Sequence, residues 1–104
     1  MNRIAFKMTL KPGFAKEYER RHELIWPELK LLLEDSGIYD YSIFLDEETN
    51  SLFAVQKVKT SSGSQELAHH EVVQRWWKYM ADIMITNQDN SPVSASLKEV
   101  FRME

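Results

Sequence analysis

The hydrophobic periods along this chain predict an α+β domain with elements in the order β-α-β-β-α-β. Three observations lead there. Apolar residues recur at every second position in short stretches, and at helical spacing in two longer ones. Turn-forming residues stand where one period gives way to the other.

Ile4, Phe6, Met8 and Leu10 alternate with Arg3, Ala5, Lys7 and Thr9, the pattern of a strand with one buried face. Pro12-Gly13 ends it. From there Phe14, Tyr18, His22, Ile25, Leu29, Leu32 and Leu33 share one face of a helix. That helix is expected to run for roughly five to six turns and close at Ser36-Gly37, where glycine suits a C-terminal cap. Pro27 can be read in two ways: as a kink one turn after His22, or as the start of a separate short helix.

Tyr39, Tyr41, Ile43 and Leu45 alternate as a second strand. Turn residues at 46–50 join it to a third strand at 52–59, forming a hairpin. A polar loop at 60–64 leads into a second helical region that ends near Ile85. Val73, Trp76, Trp77, Met80, Ile83 and Met84 lie on or beside its apolar stripe. Residues 87–92 are rich in turn formers, and 97–103 are expected as the last strand.

In that order two helical segments cover one face of a four-stranded antiparallel sheet, a ferredoxin-like arrangement. Both sheet faces carry apolar residues, because Phe44 alternates with Ile43 and Leu45, and Phe53 and Val55 with Leu52 and Ala54. The uncovered face is therefore expected to pack on another copy, giving a homodimer.

Composition narrows the function. The 104 residues suit one domain, 1–104. Charges are mixed along the chain and net −3, with no basic stripe to meet a nucleic acid. No apolar run approaches the ~18 residues of a membrane span. The N-terminus alternates like a strand and lacks the apolar core of a secretory signal. The chain has no cysteine, which removes disulfides, thiolate metal sites and a cysteine nucleophile. The expected compartment is the cytoplasm.

Tyr18 and His22 are four residues apart and so stack on one helix face, the face that Ile25 and Leu29 turn toward the sheet. The plain reading is a phenol and an imidazole satisfied inside a core. The functional one is a pocket holding a group that titrates near neutrality. Trp76 and Trp77 point about 100° apart, so at least one indole is expected at the border of the stripe, half buried. Such a ring either closes the core edge or stacks on the C–H face of a sugar. Tyr41 can face the same space from the second strand. His69-His70 has no further histidine at metal-ligand spacing. Arg20, Arg21, Glu23 and Glu28 read as a solvated helix face. Asp89-Asn90-Ser91-Pro92 is either a plain turn or a loop closing over a site. No phosphate-binding or metal motif is present, so no cofactor is expected. The inventory suits a small, neutral, hydroxyl-rich ligand and proton-transfer chemistry.

Tyr18-Glu19-Arg20-Arg21-His22, followed by Ile25-Trp26-Pro27-Glu28-Leu29, resembles the first-helix signature of the L-rhamnose mutarotases. Gln74-Arg75-Trp76-Trp77-Lys78-Tyr79-Met80 is similar to that family's second-helix signature, and Asn87-Gln88-Asp89-Asn90-Ser91-Pro92-Val93 to its C-terminal loop. The resemblance spans the chain in order and departs at Gln88, where the family pattern has proline, and loosely through 60–70. It implies a cofactor-free cytoplasmic homodimer of the dimeric α/β-barrel type that interconverts the α and β anomers of L-rhamnose. It further implies His22 as proton donor, with Tyr18, Tyr41, Trp76 and Trp77 binding the sugar. Two other readings compete: a non-catalytic sugar-sensing module built from the same aromatics, and a haem-degrading or quinone-forming oxygenase of the same fold class.

Overall fold

The computed structural model describes residues 2–60 and 63–103. The chain folds as a small α+β domain in which three helices pack on a four-stranded antiparallel sheet of order β2-β3-β1-β4. The elements are β1 (Asn2–Thr9), α1 (Ala15–Glu23), α2 (Pro27–Asp35), β2 (Ile38–Asp46), β3 (Ser51–Val58), α3 (Glu71–Met80) and β4 (Ala95–Leu97), with a 3-10 turn at Ser64–Glu66. Of the polar loop expected at 60–64, residues 61 and 62 lie outside the described residues.

Strand alternation sorts the sheet into an inner and an outer face. Phe6, Met8 and Leu10 from β1 and its extension meet Leu52, Ala54 and Val58 from β3 beneath the helices, all at most 6% exposed. Leu29 from α2 and Val73, Trp76, Trp77 and Met80 from α3 close this core. On the outer face Phe44 stands directly opposite Phe53 and is 63% exposed.

The expected long helix is two helices of nine residues each. Trp26, held extended at φ −61 and ψ 129, precedes Pro27 at the first turn of α2. A residue before proline avoids the helical region, and proline at a helix start has no N–H to waste, so the break is chemically set. Ile25 tightens the end of α1 by donating to the His22 carbonyl at 3.2 Å. Gly37, at φ 83, ends α2 as the sequence predicts.

The later part of the chain departs further from expectation. α3 stops at Met80, and Ile83 and Met84 are buried outside it. Their backbone has turned to extend the sheet edge: Lys11 donates to the Ile83 carbonyl at 2.9 Å and Ile85 to the Thr9 carbonyl at 3.0 Å. The last strand is Ala95–Leu97, paired with Ala5–Lys7, not 97–103. The 87–92 turn delivers the chain to β1 by residue 95, and 98–103 run on without regular structure, with Val100 and Phe101 exposed. No helix among the described residues is long and apolar enough to cross a membrane.

Candidate functional site

A cleft of about 1540 Å³ opens between α1, α2, β2 and α3. Tyr18, His22, Tyr41, Trp76 and Trp77 all line it. The five side chains singled out in the sequence are therefore brought together, from two helices and one strand.

Tyr18 and His22 are neighbours as their spacing requires. Their rings stack with centroids 4.2 Å apart, 28° from parallel. His22 Nδ1 lies 3.0 Å from the Tyr18 carbonyl oxygen. A carbonyl can only accept, so Nδ1 carries the hydrogen and Nε2 is left as the nitrogen that exchanges protons. Burial lowers the His22 pKa below its ordinary value, partly offset by that carbonyl bond, so the resting ring is the neutral one. Burial pushes the Tyr18 phenol above its usual range, reinforced by nearby Tyr41, and Tyr18 stays a hydrogen-bond donor.

Trp76 meets the His22 ring edge-on at 5.5 Å and Trp26 at 5.1 Å. The expectation that one of the two indoles would be half exposed fails. Trp76 is 8% and Trp77 7% exposed. The buried stripe of α3, from Val73 through Met80, is wide enough to hold one indole at each margin, and each margin forms cleft wall.

Tyr41 reaches the cleft through an irregularity that the alternation did not reveal. The β2–β3 register passes from Tyr39–Lys57 to Ser42–Val55, so Asp40 and Tyr41 together face the single residue Gln56. This is a β-bulge, with Asp40 in the left-handed region at φ 47. Ile38 is buried, and without the extra residue the even-numbered side chains would continue inward; after it Tyr41, Ile43 and Leu45 do. An aspartate in a strand, tolerant of that conformation, is the faint signal that was available.

Arg21 is the other residue missed. It is 9% exposed and belongs to no solvated face. Its guanidinium donates to Glu17 at 2.7 Å, to Asp82 at 2.8 Å and to the Tyr79 carbonyl at 2.9 Å, and covers the Tyr79 ring at 4.5 Å. The pairing with Arg20 and Arg21 holds the Glu17 carboxyl at about 2. Arg21 thus fastens the turn of α1 that carries His22 to the end of α3. The Glu17–Arg21 spacing of four was the available clue. Residues 87–92 form a hydrogen-bonded turn, with Asn87 donating to the Ser91 carbonyl at 2.8 Å, and Asn90 and Pro92 line the cleft.

The fold and site together define the class: a small α+β domain with an aromatic-walled cleft that holds one anchored imidazole. Residues 3–103 match the family model described as L-rhamnose mutarotase. The chain is 61% identical to the L-rhamnose mutarotase of Phocaeicola vulgatus and 62% identical to that of Bacteroides thetaiotaomicron, each alignment covering all of both chains. A crystal structure of an L-rhamnose mutarotase from Formosa agariphila superposes with a TM-score of 0.91 at 57% identity, again over all of both chains. The chain belongs to the L-rhamnose mutarotase family.

Proposed function

We propose that L-rhamnose binds in the cleft and that His22 moves the proton that interconverts its anomers. As a member of its family the protein is a carbohydrate isomerase, exchanging the α and β anomers of L-rhamnose. The observation that carries the site assignment is His22 anchored through Nδ1, with Nε2 left for exchange, in a cleft also walled by Tyr18, Tyr41, Trp76 and Trp77.

The reaction needs one proton to leave the anomeric hydroxyl and one to reach the ring oxygen. Neutral His22 takes the anomeric proton at Nε2. The bond from C1 to the ring oxygen breaks, its electron pair goes to that oxygen, and the imidazolium returns the proton there, so His22 is the proton donor of the opening step. The open-chain aldehyde rotates about C1–C2, and the reverse sequence closes it with the hydroxyl on the other face. Both oxygens are bonded to C1, so one nitrogen reaches each with little movement. Electrons and protons balance with no external oxidant. Tyr18 and Tyr41 donate to sugar oxygens, while the indoles of Trp76 and Trp77 take the C–H face and the 6-methyl group.

Saturation exchange between the anomeric proton signals of L-rhamnose tests this. Wild type speeds exchange, and His22→Ala loses about 10²–10⁴ of that rate while remaining folded by circular dichroism. Binding without accelerated exchange in wild type would leave a sugar-binding module instead.

The sheet order and antiparallel register support a ferredoxin-like classification. The outer sheet face, with Phe44 against Phe53 and Val55 beside them, supports a homodimer formed face to face. Light scattering checks this, a dimer giving twice the chain mass. The compartment we propose is the cytoplasm, where a sugar-catabolic isomerase meets its substrate; cell fractionation checks it.

A further inference from the structure

The His22 ring is braced by two others, Tyr18 stacked at 4.2 Å and Trp76 standing perpendicular to it at 5.5 Å. Tyr18 rides on the same helix as His22 and keeps its place by spacing alone. Trp76 belongs to α3, so its grip on the imidazole depends on what holds the indole. It has two further ring contacts. Tyr79, at 5.6 Å, is three residues along the same helix and moves with it. Trp26, at 5.1 Å and 86° from parallel, comes from the junction of α1 and α2 and stands outside the cleft wall. The indole of Trp76 therefore touches His22 and, four residues later in the chain, Trp26, each nearly perpendicular to it.

The junction is shaped to put Trp26 there. In an unbroken helix residue 26 would follow Tyr18 and His22 along one face. Pro27 turns the chain aside, because the residue before it is held extended. The Trp26 ring reaches α3 instead, against Trp76 and 5.6 Å from Tyr79. Its backbone is pinned, the carbonyl accepting from the Leu29 and Lys30 N–H groups at 3.0 Å each. Arg75 lies over the ring at 5.7 Å and donates to Glu28 at 3.2 Å, tying the start of α2 to α3. Aromatic pairs of this kind prefer particular angles, so they fix orientation as well as distance.

We propose that Trp26 is a positioning residue that sets the Trp76 indole against the His22 ring and so aims Nε2 at the sugar. This deepens the assignment of the cleft as the L-rhamnose site and rests on it. The proline break then serves the reaction: just past the base, the chain leaves the helix to brace the indole that steadies it.

The test compares anomer exchange by Trp26→Leu, which keeps apolar bulk, with Trp26→Phe, which keeps a flat ring, each corrected for its folded fraction. Trp26→Leu is expected to lower kcat for L-rhamnose about tenfold, the upper worth of one aromatic pair. KM should change far less, because Trp26 touches no sugar, and Trp26→Phe should recover most of kcat. Proton NMR without sugar gives a second readout. The His22 ring C–H signals, identified by their loss in His22→Ala, should move in Trp26→Leu as the ring current of Trp76 shifts. Wild-type kcat in folded Trp26→Leu, or His22 signals that stay in place, overturns the inference while leaving the sugar site intact. A wild-type protein without exchange overturns the sugar reading itself and the role of Trp26 within it.

Discussion

The two helices before β2 are equal in length, nine residues each, yet they bury different chemistry. α1 turns Tyr18 and Arg21 inward, with His22 half buried beside them; α2 buries Leu29 with Leu32 and Leu33 packed against the core. One is fastened by hydrogen bonds and charge, the other by apolar area. The difference teaches how a small domain makes room for a polar site. Of these two helices, it gives the polar groups to the first, follows that helix with a proline break, and leaves the second to hold the layer down. Arg21 is central to the first strategy, because its bonds to Asp82 and the Tyr79 carbonyl replace the packing that α1 gives up.

The contrast can be broken or sharpened by experiment, the largest effect coming from α1. Because burial lowers the His22 pKa, its neutral, proton-accepting form persists to lower pH than an ordinary histidine near 6.5. The exchange rate is therefore expected to hold to a lower pH than an unshifted histidine would allow, and then fall about tenfold per pH unit beneath the shifted pKa. A rate that instead declines as pH rises through that range would mean that the imidazolium is the resting form. Leu29→Ala, on α2, should cost about 2–5 kcal/mol in urea unfolding by opening a cavity. Exchange by the folded fraction should change far less than it does in His22→Ala.

Arg21→Met separates the two strategies more finely. It removes donors from the Tyr79 carbonyl and leaves Asp82 and Glu17 partly wet, so a loss of ~1–3 kcal/mol in thermal or urea unfolding is expected. The exchange rate should fall along with stability, since the turn carrying His22 loses its anchor; unchanged activity would assign Arg21 to stability alone. Pro27→Ala should be smallest, under about 1 kcal/mol, because the first helical turn needs no amide from that position.

Much of this was legible in the sequence. The inner faces of β1 and β3 follow from strict alternation, and Tyr18 and His22 declare themselves by sharing a face with Ile25 and Leu29. Pro27 announced a discontinuity without saying which kind. The remainder depended on contacts distant in the chain. Arg21 looks like any surface arginine until Asp82, 61 residues away, supplies its carboxylate. The Tyr41 bulge exists only relative to β3, and no property of β2 alone gives a register. The end of α3 was misplaced because Ile83 and Met84 satisfy a helical stripe and a strand edge equally well. The short β4 was misplaced because apolar residues at 97–103 continue the alternation past the point where pairing stops.

The bulge in β2 has a bearing beyond the aim of one tyrosine. β2 is the outermost strand on its side, and a long regular outer strand offers its unpaired amides and carbonyls to any extended peptide that drifts past. The extra residue breaks that row of bonding groups into two short runs and twists them out of line, while Asp40, paired with Lys57 at 3.1 Å, sets a charge at the break. The opposite rim is β4, a strand of three residues, too brief to template much pairing. The two blunted rims together are a safeguard against polymerising through the protein's own backbone.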